Sequence, residues 1–215
     1  MSGPAADMGA RYSTPAPRLP FAAAPAQTSA PMPRIPPIVF VAVFDFDLTL
    51  TKAHVWGTFR NAPLDQVPID ADTFVDLDGF RDFVADARRR DADVAIATFG
   101  RRDVVDKAMR FALGDSHGVE ISTPADHYDP RFKDVPFAER PMCPEGSDVL
   151  GNKNTQLANI CLRFGVDASR VVLADDDANN VAAAREAGIS AEHASSGCDK
   201  QLLLAMMRHV EKHAA

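Results

Sequence analysis

Apolar and polar residues along this chain fall into two regimes that divide near residue 38. From Ile38 to Phe44 the sequence IVFVAVF is unbroken apolar and rich in β-branched residues. That is the pattern of a strand covered on both faces in a parallel sheet. DVAIAT, ending at Thr98, and RVVLAD, ending at Asp175, repeat it, and Gly118–Ser122 and Ile189–Ala194 are weaker versions. Between these runs, amphipathic stretches at 78–90, 101–113, 153–164, 178–187 and 199–213 predict helices. The alternation predicts an α/β fold, a three-layer, doubly wound parallel sheet with right-handed crossovers and a ligand site along the carboxyl ends of its strands. Segments 51–77 and 123–152 fit no element; both are long and contain proline and aromatic residues. Loops of that length in compact domains tend to carry function.

Residues 1–37 follow no helical or strand period and are dominated by Pro and Ala, with Arg11, Arg18 and Arg34 against the single acid Asp7. They predict a disordered tail, followed by one domain over 38–215. An acid-poor, Arg-containing N-terminus also fits an organellar transit peptide, but prolines break the amphipathic helix such peptides form, so the expected compartment is the cytoplasm. Apolar runs such as 38–44 fall far short of the roughly 20 residues that cross a bilayer, so no membrane partner is expected.

The formal net charge is −7, and with the tail set aside the body is more acidic still. Such a body has no gathered basic face, which argues against a nucleic-acid partner. Cys143, Cys161 and Cys198 lack the paired spacing of a zinc site or the geometry that would mark a disulfide, and read as reduced thiols.

Four short motifs carry candidate chemistry. The first strand runs into Asp45-Phe46-Asp47-Leu48-Thr49, which delivers two carboxylates to the ligand edge. By itself this is equally an Asp-rich turn capping its own backbone. Thr98 ends the second strand and is followed by Phe99, Gly100 and Arg101 at a predicted helix start. A hydroxyl, a flexible glycine and free helix N–H groups suit a phosphate oxygen, though Thr98 also serves as a plain cap, and Arg101 as a phosphate contact or a solvated side chain. Lys153 sits in the first turn of a predicted helix, where the dipole disfavours a cation by several tenths of a kcal/mol; it is either an anion ligand or a surface lysine. Asp175-Asp176-Asp177 ends the third strong strand. Carboxylates gathered at one edge with Asp45 and Asp47 repel one another unless a cation neutralises them, and hard oxygen donors suit magnesium better than zinc. Asp177 has a sufficient role as a helix N-cap.

Order and spacing together resemble the haloacid dehalogenase-like (HAD) superfamily, in its phosphatase branch, from Val39 to about residue 195. DFDLT is similar to the nucleophile motif of that family, Thr98 to its second motif, Lys153 to its third, and LADDDANNVAAAREAG to its acidic fourth. The resemblance implies that Asp45 attacks phosphorus and forms an aspartyl-phosphate. Asp47 would be the proton donor to the leaving oxygen and then the base for water. Thr98 and Lys153 would orient the phosphoryl group, with Phe99 and Gly100 beside it. Asp45, the main-chain carbonyl of Asp47, Asp175 and Asp176 would hold Mg2+, with Asn180 bracing the loop.

A carboxylate in the position of Asp47 is absent from relatives that are dehalogenases, phosphonate hydrolases or ion-pumping ATPases, so the resemblance implies a phosphatase or phosphomutase. The intervals between motifs leave little room for the large cap a mutase needs, which leaves a short flap. The expected activity is phosphomonoester hydrolysis on a phosphorylated small molecule or a phosphoprotein. A catalytically idle phosphate-binding module and, further off, a phosphomutase are the alternatives. His54 and Trp56 in the flap stand between substrate recognition and structural roles, as do His127, Tyr128, Arg131 and Lys133 in the second loop.

Overall fold

The structure, a computed structural model, describes residues 39–127 and 152–213. The tail over 1–37 and most of the second long loop, including Tyr128, Arg131, Lys133 and Cys143, lie outside the described residues. Within them, five strands form one all-parallel sheet: β1 (Phe40–Phe44), β2 (Ala92–Ala97), β3 (Glu120–Ser122), β4 (Val171–Asp175) and β5 (Ser190–His193). Their order is β3-β2-β1-β4-β5. The chain therefore builds outward from β1 on one side, then returns to place β4 on the other side of β1.

Among the described residues six α-helices accompany the sheet: α1 (Val55–Phe59), α2 (Leu77–Arg88), α3 (Arg102–Leu113), α4 (Asn154–Phe164), α5 (Ala178–Glu186) and α6 (Lys200–His213). Alternation along β1 decides which helix meets which face. Phe40, Ala42 and Phe44 point into a core shared with α2, α3 and α6, while Val41 and Val43 point into a second core shared with α4 and α5. Phe44 meets the rings of Phe80 and Phe83 edge-on at 5.6 and 5.3 Å, a geometry worth about 0.5–1.5 kcal/mol per pair beyond the area buried. The doubly wound expectation holds, and its physical basis is that β1 and β4 are buried on both faces at every residue.

The predicted strand over 118–122 contracts to Glu120–Ser122, because Gly118 takes φ +65°, outside the extended region. The predicted helix at 153 begins one residue later, leaving Lys153 in the N-cap position, and it ends at Gly165 in the left-handed conformation that glycine adopts without strain. Segment 51–77, without an element in the sequence pattern, is a flap. It leaves and rejoins the sheet through an antiparallel bridge between Thr51 and Phe74, carries α1, and closes with N–H bonds from Lys52 to the Thr73 carbonyl and from Val75 to the Leu50 carbonyl, both 2.9 Å.

Candidate active site

Because β1 and β4 are neighbours whose following connections run to opposite sides of the sheet, their carboxyl ends form its switch point, where a crevice opens. Asp45 follows β1 and Asp175 ends β4. Lys153 reaches between them from the start of α4, its Nζ 2.6 Å from Asp45 Oδ1 and 2.6 Å from Asp175 Oδ2. All three are buried. The cation at a helix N-terminus, unfavourable by dipole alone, is thus matched by two carboxylates. Asp175 Oδ1 accepts from the Asp177 N–H at 2.9 Å and from Asn180 Nδ2 at 3.1 Å, so Asn180 braces this aspartate. Asp177 caps α5, accepting from the Asn179 N–H.

Asp47 points elsewhere. After it the chain reverses at Leu48, whose φ of 60° is uncommon for a residue other than glycine. Its Oδ1 accepts from the Val55 N–H at 2.6 Å and the Trp56 N–H at 3.2 Å, so the first turn of the flap helix holds this carboxyl group. His54 Nδ1 lies 3.9 Å from Asp47 Oδ2, but that nitrogen accepts the Gly57 N–H at 2.8 Å, which makes His54 the cap of α1 and leaves no proton there for Asp47. Thr49, which the sequence offers only as a cap of its own turn, acts across the fold instead. Its buried hydroxyl accepts the Asp176 N–H at 3.0 Å and lies 3.3 Å from Asp176 Oδ1, fixing the second acid of the β4 loop. The conspicuous DxDxT spacing was the signal for it.

Thr98 is buried at the end of β2, and its Oγ1 accepts the Gly100 N–H at 3.0 Å. Gln156, overlooked in the sequence, donates through Nε2 to the carbonyls of Thr98 at 2.7 Å and Ser122 at 3.0 Å, tying the ends of β2 and β3 to α4. The Phe99 ring stands 5.5 Å from Lys153 Nζ. Arg101 is committed to structure: Nη1 donates to the carbonyls of Phe59 and Ala62, while Nε and Nη2 grip Asp103. A pocket of about 190 Å³ is lined by Asp45, Asp47, Thr98, Lys153, Asp175 and Asp176, together with His54, Trp56 and Phe99. Arg101 does not line it.

Burial pushes the Asp45 carboxyl up to about 7; Lys153 opposes this and Asp175 adds to it. Asp47 is also raised by burial, with the Trp56 and Val55 N–H groups and His54 pulling it back. Burial works to lower Lys153, but Asp45 and Asp175 outweigh it and hold the ammonium charged. Asp45, Asp175 and Asp176 each offer a carboxylate oxygen within 4.8 Å of the others, and no second such group of three exists among the described residues. An all-oxygen donor set in which carboxylates outnumber the one buried ammonium fits a hard divalent cation such as Mg2+. Cys161 and Cys198 are free thiols outside that group.

The sheet order, with an acidic pocket at its switch point, defines a doubly wound α/β protein with its site at the carboxyl ends of the strands. The chain belongs to the haloacid dehalogenase-like hydrolases, whose family model matches residues 42–188. Among solved structures, one similar in fold is a protein from Mesorhizobium loti described as a HAD-like phosphatase, at 14% identity and a TM-score of 0.53, over 82% of this chain and 88% of that one. Another is 3-deoxy-D-manno-octulosonate 8-phosphate phosphatase from Moraxella catarrhalis, solved with magnesium and phosphate, at 15% identity and a TM-score of 0.46, over 81% and 87% of the two chains. No curated protein sequence matches the chain. Among the described residues, no helix is long and apolar enough to cross a membrane.

Proposed function

We propose that the protein is a Mg2+-dependent phosphomonoester hydrolase that works through an aspartyl-phosphate on Asp45. The observation that carries this reading is the buried Asp45–Lys153–Asp175 triad at the switch point, with Asp176 close by and a separately held carboxyl, Asp47, lining the same pocket. Asp45 attacks phosphorus and the bond to the ester oxygen breaks. The leaving oxygen takes the proton of the Asp47 carboxyl, a group whose pKa burial raises above the ordinary value. Water then attacks the acyl phosphate and gives its proton to Asp47 as the bond from phosphorus to Asp45 breaks. Inorganic phosphate leaves and both carboxyl groups are restored.

Lys153 and the Thr98 hydroxyl orient the phosphoryl oxygens and carry part of their charge. Asp45, Asp175, Asp176 and the main-chain carbonyl of Asp47 would hold Mg2+, which when bound supplies further neutralisation of those oxygens. Turnover of an aryl phosphate tests this directly. Activity is expected to disappear with EDTA, to return with added Mg2+, and to be absent in Asp45→Asn; full activity under EDTA or in that variant overturns the reading.

A further inference from the structure

The 190 Å³ pocket is not the only space at this edge of the sheet. A second, of about 810 Å³, adjoins it along the start of α3. Trp56 and Phe99 line both spaces and so stand at the boundary between them. Gly100 lines the larger space close to that boundary: a Cβ there would stand 3.6 Å from Asp47 Oδ2 and 3.3 Å from Thr98 Oγ1. Gly100 thus lies beside Asp47 Oδ2, the carboxylate oxygen that accepts the Trp56 N–H at 3.3 Å. Beyond the two aromatic rings the walls of the larger space include Ile121 and Pro124, both buried. Its volume falls in the range of small-molecule sites.

The charges in this groove are nearly all matched. Arg101 holds Asp103, Arg102 holds Asp126, and Asp106 is met by Arg110 and His117. Arg60, the residue that ends α1, is the exception, since its guanidinium makes no hydrogen bond or ion pair among the described residues. In an otherwise acidic body, one unmatched cation on an aromatic-lined groove calls for an anion on whatever lies there.

Resting on the phosphohydrolase reading above, we propose that the groove seats the leaving group, and that the substrate is a small phosphomonoester whose alcohol carries a planar aromatic ring and a second negative charge. The ring meets Trp56 and Phe99; the anion meets Arg60. Three primary-alcohol esters of similar leaving-group basicity test this: para-carboxybenzyl, para-carbamoylbenzyl and trans-carboxycyclohexylmethyl phosphate. The wild-type protein is expected to favour the first over each of the others by about tenfold in kcat/KM, through KM. Arg60→Gln is expected to erase the margin over the carbamoyl ester, and Trp56→Leu the margin over the cyclohexyl ester, with Tm of both variants checked beside the wild type. Equal kcat/KM for the three esters, with activity still lost in Asp45→Asn, overturns the groove assignment and leaves the hydrolase reading standing. If the aryl phosphate is turned over and none of the three esters is, the groove assignment is overturned and the hydrolase reading stands; if none of the four is turned over, the hydrolase reading fails, and calorimetry with para-carboxybenzyl and para-carbamoylbenzyl phosphonate decides the groove. Tighter binding of the carboxyl compound that is lost in Arg60→Gln supports it; equal or absent binding overturns it.

Discussion

Asp45 and Asp47 lie two residues apart in sequence yet occupy opposite electrostatic situations. Asp45 is locked to Lys153 and shares it with Asp175, while Asp47 is turned into the flap and meets main-chain N–H groups. That separation is what allows one carboxyl to act as nucleophile and the other to carry a proton, and it yields a prediction about Asp47→Asn. A nitrophenolate leaves without protonation, so the first step survives in the variant, but the second step loses its base. Steady turnover of nitrophenyl phosphate should fall about 100 to 10,000-fold. Rapid-quench measurement should show a burst approaching one nitrophenolate per protein, with the phosphoryl group on Asp45 released by hydroxylamine. A uniform fall with no burst would mean that Asp47 serves the first step alone.

At the scale of elements, the flap and α3 form one working unit because Arg101 spans them. Its guanidinium supplies donors to Phe59 and Ala62 in the flap and grips Asp103 in the first turn of α3. Arg101→Ala leaves the Ala62 carbonyl without a donor and the Phe59 carbonyl with only the Ala62 N–H, so amide exchange over 51–74 should quicken. Since the same flap holds Asp47, kcat/KM should fall by about tenfold or more while Tm moves little. The pair also has a pH signature. Arg101 holds Asp103 below the usual carboxylate range, so its native pKa lies under the unfolded value of about 3.9. Stability from the pair is therefore full above that value and is lost as pH falls through the lower native one. Asp103→Asn should show a lower urea midpoint than the wild type at pH 6, with the gap narrowing towards pH 3. A gap that stays constant across this range would deny the pair any electrostatic part.

Across the whole molecule, legibility in the sequence follows how local each signal is. β1, β2 and β4 announce themselves because burial on both faces makes their residues apolar, save the half-buried Asp93 in β2 and Asp175 at the end of β4, and the acids at the ends of β1 and β4 inherit their place from those strands. What stays hidden depends on partners far along the chain. Gln156 acts on Thr98 from 58 residues away, Arg101 on the flap from about 40, and the matched or unmatched state of Arg60 emerges only once every neighbouring charge has been placed. Lys153 is an intermediate case: the helix dipole marks it as anomalous, but only the fold supplies both of its carboxylates.

The same reasoning bears on the N-terminal segment, where the sequence has no period to pack. Val39 is anchored to the body, its N–H donating to the Asp91 carbonyl at 2.9 Å and its own carbonyl accepting from Arg170 Nη1 at 3.3 Å. One residue on, the Phe40 ring stacks on His213 at 4.9 Å. We propose that the folded body begins just before this point and that catalysis does not need what precedes it. Removing residues 1–34 should leave kcat/KM for an aryl phosphate within about twofold and Tm within a few degrees, because that stretch of sequence has no apolar period with which to pack. Removal through residue 40 takes away the Val39 bonds, the Phe40 stack and a buried strand residue, and should lower Tm by several degrees more. Loss of turnover already at the shorter deletion would make the Pro- and Ala-rich segment part of the working enzyme.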